Sequence, residues 1–245
     1  MGRNTDFFIL HKEMARAELY PVLISSDRFT ESFKEFLTRR KTICDDDYDV
    51  RYESIVEKAS TDINSILPSE LFELTYWLGE IGYDYEGKGI ELLFNLHGTT
   101  AYSFMFQYGN FTDYYPLDEF YEAWSGKRVD PKDFIRFLDY MILLMGKISA
   151  SKIEGSEYGL TDAEKEYISV LQETYSDEKL LQEIIDAEFE YLKKEFTTYI
   201  ENGSESKPSP EVNCVYWASG FLDSCIEMKA RIAETGAMVL IVDSI

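Results

Sequence analysis

The chain is poor in the residues on which most enzyme chemistry rests. Among 245 residues there are two histidines, His11 and His97, and three cysteines, Cys44, Cys214 and Cys225. Neither histidine stands in H-E-x-x-H or E-x-x-H, so the ligand sets of zinc proteases and helical di-iron proteins are missing. Three scattered cysteines make no disulfide framework and fit reduced thiols in the cytoplasm. Cys214 and Cys225 share a helical stretch but sit three turns apart, too far to bridge. Long apolar runs are missing as well. The richest one, 134–148, is interrupted by Arg136, Asp139 and Lys147, and Phe7–Leu10 is shorter than the core of a signal peptide. These shortages predict no membrane segment, no metal and no cofactor.

Positive charge is the remaining shortage. Lysine and arginine number 24 against 46 aspartates and glutamates, a net charge of −22. Such a surface repels phosphates and anionic lipids, which excludes direct nucleic-acid binding and membrane association and favours a basic protein partner. The excess is local. Residues 41–126 carry −13 and residues 156–211 carry −10, while 1–40, 127–155 and 212–245 are within two charges of neutral. With 45% hydrophobic residues and 15% aromatics the chain folds despite its charge.

Several motifs come close to known chemistry and fail where that chemistry needs a particular residue. Gly82 to Gly89 nearly reads G-x-x-x-x-G-K-[ST], but Gly89 replaces the magnesium-binding hydroxyl, and Asp84 and Glu86 inside the loop repel phosphate. Asp45-Asp46-Asp47-Tyr48-Asp49 opens like a calcium loop, yet Val50 stands where glycine turns the chain and Val56 where the bidentate glutamate belongs. Ser149-Ala150-Ser151-Lys152 fits S-x-x-K without the S-D-N and K-T-G partners.

Helical patterns dominate the rest. Apolar stripes over 28–40, 47–66, 71–81, 134–148 and 181–200 keep helical spacing. The carboxylates at 45–49 read as the acidic first turn of the second of these helices. Asp130-Pro131 has the form of an N-cap with proline at the first helical position, and Thr161 with Glu164 forms a capping box. Phe7–Leu10 and Met238–Val242 read as strands, and Ile90–Leu96 fits either type. Residues 202–210 read as a flexible loop. The tail beyond them is too short for a domain, so a C-terminal helix and strand should pack back on the body. The expected fold is therefore α+β and predominantly helical, a single compact domain over 1–245 with one or two small β elements.

One segment joins acidity to aromatic anchors: Asp113, Tyr114, Tyr115, Asp118, Glu119 and Tyr121. Tyrosines are common hot-spot residues, and carboxylates around them steer and pair a basic partner. Asp113-Tyr114-Tyr115-Pro116 is similar to the tyrosine pair and proline that colicin nuclease immunity proteins present to a basic toxin. The likeness spans four residues and does not make the chain a member of that family. The expected contact surface comprises these six residues with Asp45, Asp46, Asp47, Asp49, Asp84 and Glu86. The expected function is that of a soluble, cytoplasmic, non-catalytic inhibitor or immunity-type protein that neutralises a basic toxin or nucleic-acid-handling enzyme. Two alternatives stand beside it: a cofactor-independent hydrolase with a carboxylate pair, and a nucleic-acid mimic directed at host defence.

Overall fold

The computed structural model describes residues 4–44, 48–97, 128–151, 153, 159–203, 210–236 and 239–244. The fold is α+β and predominantly helical, built around one antiparallel sheet of four strands in the order β2-β1-β4-β3. The strands are β1 (Asn4–Leu10), β2 (Ile90–His97), β3 (Arg128–Val129) and β4 (Val239–Ser244). Ile90–Leu96, which fits either type by pattern, is therefore strand. β1 lies between β2 and β4, and its alternating side chains enter two separate cores. Phe7 and Ile9 join one core, Phe8 and Leu10 the other, and all four are buried. A strand covered on both faces must be apolar at every position, which is why Phe7-Phe8-Ile9-Leu10 is continuous rather than alternating. Burial of these four side chains is worth on the order of 6–12 kcal/mol.

The first core holds α1 (Lys12–Met14), a π-helical turn (Ala15–Leu19), α2 (Tyr20–Leu23), α3 (Asp27–Ile43), α4 (Tyr52–Thr61) and α5 (Pro68–Glu80) against one sheet face. Phe33 of α3 stacks on Trp77 of α5 with centroids 4.4 Å apart, and the indole N–H donates to the Ser32 hydroxyl. Two buried carboxylates on successive turns of α5 fasten it to its neighbours. Glu70 accepts from Ser54 and Lys58 of α4, both at 2.7 Å, and Glu73 accepts from the Arg40 guanidinium of α3 at 3.0 Å. Burial pushes the Glu73 carboxyl up, against the pull of Arg40.

The helix expected over 47–66 is shorter and broken. Arg51 is extended, α4 starts at Tyr52, and the Asp62 carboxylate accepts from the Asn64 N–H to cap a separate 3-10 turn, Ile63–Ser65. An aspartate that bonds its own neighbouring backbone ends a helix. Asp49 accordingly lies outside the helix and does not meet its dipole.

The second core packs α6 (Pro131–Ala150), α7 (Asp162–Thr174), α8 (Lys179–Glu201) and α9 (Pro210–Thr235) on the opposite sheet face. The two caps read from sequence are present: Asp130 accepts from the Lys132 N–H at 2.8 Å, and Thr161 and Glu164 bond reciprocally. α9 lies along α6, and β4 pairs with β1 in register from Asn4↔Ser244 to Ile9↔Val239. Cys214 and Cys225 are free thiols inside this core. No helix among the described residues is long and apolar enough to cross a membrane. The loop expected at 202–210 falls largely outside the described residues.

The glycine-rich stretch 82–89 joins a helix to a strand, the reverse of a phosphate loop. Gly89 takes a φ of +105°, and a Cβ there would overlap the backbone of Ala15. Its missing side chain lets the π-helical turn lie against the start of β2, where the Gly89 carbonyl accepts from the His11 N–H at 2.9 Å. Gly89→Ala should therefore cost about 2–3 kcal/mol from positive-φ strain and overlap. A lowered urea midpoint at unchanged slope would show this. An unchanged midpoint would mean that the turn can shift.

Candidate functional site

Of the residues expected from sequence, Asp45, Asp46, Asp47, Asp113, Tyr114, Tyr115, Asp118, Glu119 and Tyr121 lie outside the described residues. Asp49 is exposed and pairs with Arg51 at 3.3 Å. Asp84 and Glu86 come together in the turn before β2. Asp84 accepts from the Glu86 N–H at 3.3 Å, and the Glu86 carboxylate accepts from the Leu92 N–H at 3.1 Å. β2 is an edge strand of the sheet, and Glu86 occupies one of its outward N–H groups. Burial raises the Glu86 carboxyl, the Leu92 N–H opposes this, and Asp84 adds to it.

That turn borders a polar cluster that no local motif announces. Glu91 of β2 faces the second core beside Ile9 and pairs with Arg231 of α9. The His11 Nε2 approaches the same carboxylate at 3.5 Å. Glu86, Glu91, Glu227 and Arg231 border a cavity of 230 Å³ together with Leu92, Leu93 and Met228. Burial, then the Arg231 charge, hold the His11 imidazole below its ordinary value of 6.5. Glu91 does not reverse this because its charge is taken up by Arg231. A neutral imidazole oriented by a carboxylate is a competent base, but none of the residues bordering the cavity carries a hydroxyl or thiol for it to activate. The cluster brings together strand β2, helix α9 and the end of β1. Only the i,i+4 spacing of Glu227 and Arg231 hinted at it in the sequence.

A second carboxyl pair joins Glu164 of α7 to Asp223 of α9. Burial raises the Asp223 carboxyl, as do the hydrogen bond and charge of Glu164. The Glu164 carboxyl is lowered, despite some burial, by Thr161, Asp223 and Lys165. The two are in direct hydrogen-bond contact. A glycosidase pair needs roughly 5 Å or more between its carboxyl groups to admit a sugar, so this pair leaves no room for one.

In the second core a buried charge lies at Asp139 of α6. It is 2.5 Å from the Lys229 ammonium of α9 and accepts from the Tyr175 hydroxyl at 2.6 Å. Burial opposes the Lys229 charge, but Asp139 and Tyr167 outweigh it and raise the ammonium above its ordinary value. The Tyr167 ring lies under the same ammonium. These groups tie α6 to α9 and to the end of α7. Among the described residues no three histidine, cysteine or acidic side chains are grouped to hold a metal ion.

The outward face of α8 is different, because its carboxylates are largely unmatched. Glu183, Glu190 and Glu201 are exposed and make no ion pair among the described residues, whereas Asp186 pairs with Lys147 at 2.5 Å. Beside them stand Leu180, Tyr191 and Ile200, exposed by 52%, 40% and 48%. Across α7 and α8, residues 162–201, there are twelve acidic and four basic side chains.

No family model, curated protein or solved structure matches this chain.

Two measurements test the His11 cluster and the Asp139–Lys229 pair. Because the His11 pKa is lowered on folding, the unfolded chain takes up the proton first as pH falls. The associated stability is fully present above 6.5 and declines below it. His11→Gln should flatten that part of the pH dependence of the urea midpoint, and an equal slope in both proteins would refute the assignment. Lys229→Met leaves Asp139 buried and unpaired and should cost about 3 kcal/mol, against about 1 kcal/mol for Tyr175→Phe. Thermal melts of the two variants should preserve that order.

Proposed function

We propose that this protein acts by binding, without catalysis, a basic protein partner, in the manner of an inhibitor or immunity-type protein. The observation that carries the reading is the outward face of α8, where Glu183, Glu190 and Glu201, unpaired among the described residues, are flanked by exposed Leu180, Tyr191 and Ile200. Exposed apolar and aromatic side chains supply contact area, and the carboxylates steer and register a cationic surface. The same combination of tyrosine and carboxylate occurs at Asp113, Tyr114, Tyr115, Asp118, Glu119 and Tyr121 in sequence. The net charge of −22 extends the attraction at low ionic strength and weakens it as salt rises.

Binding of this kind is salt-sensitive and tolerates loss of any one residue. Capture from a lysate of the producing cells at low and at physiological salt should yield a basic protein whose retention falls with salt. Reversing two charges, Glu183→Lys with Glu190→Lys, should weaken its dissociation constant by about tenfold while the melting temperature is kept. A partner held equally at both salts, or equally by the reversed protein, would count against the α8 face. An acidic partner would count against the whole reading.

A further inference from the structure

We propose that the cleft between α6, α7 and α8 binds a small amphipathic carboxylate, an apolar body ending in one carboxyl group. The cleft has a volume of 570 Å³, within the usual range of about 300–1,000 Å³ for small-molecule sites. Three helices wall it, unlike the similar volume along α3, which a single helix borders. Its apolar lining comes from each wall: Leu143 from α6, Ile168 from α7, Ile185 and Phe189 from α8. At Gly146 the α6 backbone comes so close to Ile168 that a Cβ would lie 2.5 Å from its Cδ1.

The polar groups around this lining favour an anion. Among the described residues that line the cleft, Lys147 and Lys165 face one carboxylate, Asp186, so this lining is cationic in a chain of net charge −22. Lys147 is committed, paired with Asp186 at 2.5 Å and placed over the Phe189 ring. Lys165 is available. Its ion pair is with Asp162, whose side chain is fully solvated, so the pairing contributes little and a ligand carboxylate can replace it. Gln172 and Gln182 border the same cleft, and their side-chain amides make no hydrogen bond among the described residues. One ammonium and two amide donors beside an apolar lining match a carboxyl group on a hydrocarbon, and a cationic ligand would meet two lysines. This inference is independent of the reading of the outward α8 face, because Glu183 and Glu190 do not line the cleft.

The test is calorimetric titration of the full-length protein with decanoate, and with decanol as the uncharged comparator. Ala150 is exposed at the end of α6 and borders the cleft, so Ala150→Phe fills the opening without disturbing the core. Decanoate should bind saturably, one per chain, and about tenfold more tightly than decanol. Lys165→Gln should remove that preference, and Ala150→Phe should abolish binding of both at an unchanged melting temperature. No saturable binding of decanoate would overturn the proposal. So would binding that Ala150→Phe leaves intact, which would place the ligand elsewhere. Equal affinity for decanoate and decanol in the unaltered protein would overturn the carboxylate assignment, and a preference lost in Lys165→Gln would support it.

Discussion

The structure depends on the burial of β1 on both faces. Phe7 and Ile9 belong to the core of α6–α9, and Phe8 and Leu10 to the core of α1–α5, so one strand of seven residues serves as the floor of both. A slip of one residue would exchange the two sets, and each core would receive side chains shaped for the other. The register is held on both edges, by β2 on one side and by β4 on the other. Since β4 is the last strand and β1 the first, the two helical layers cannot both close until residues from opposite ends of the chain have paired. Such long-range pairing costs loop entropy before it is rewarded, so closure of this sheet is a late and slow event in folding.

The shortage of cations shapes the remainder. Three carboxylates buried between helices each hold a lysine or arginine: Glu70 holds Lys58, Glu73 holds Arg40, Asp139 holds Lys229. An unpaired charge at those positions would cost several kcal/mol, so three of the 24 basic residues are fixed there. The surface is left with the excess. On the outward side of α8 this excess shows as Glu183, Glu190 and Glu201, which face solvent without an ion pair among the described residues.

The fold class was readable because its signals are local. Asp130 with Pro131, Thr161 with Glu164, and the stripes over 134–148 and 181–200 each mark an element within a few residues. The strand nature of Ile90–His97 was not, since its pattern suits a helix equally and only pairing with β1 decides it. The start of α4 was misread because four aspartates look like an acidic first turn, while the extended backbone of Arg51 separates Asp49 from the helix. The polar cluster escaped for a different reason. His11, Glu91 and Arg231 come from the beginning, middle and end of the chain, and the sheet alone makes them neighbours. Of the expected contact residues, Asp84 and Glu86 share one turn, and the Glu86 carboxylate holds an edge-strand N–H, a structural task that sequence could not separate from a binding one.

Helix α8 shows how one amphipathic pattern can serve two surfaces. Its inward stripe of Leu181, Ile184, Leu192 and Phe196 fills the core, and its outward face carries the unmatched glutamates. Along the boundary between them, Gln182, Ile185, Asp186 and Phe189 border the cleft against α6 and α7. At that boundary Asp186 is neutralised by Lys147, so the helix changes electrostatic character across its own width, from cationic surroundings in the cleft to carboxylates in solvent. The two surfaces select opposite charges and lie on different sides of one rigid element. A carboxylate in the cleft is shielded from the outward glutamates by the body of the helix and by Lys147 and Lys165. The strong negative charge of the chain as a whole therefore does not forbid an anionic ligand at this one place.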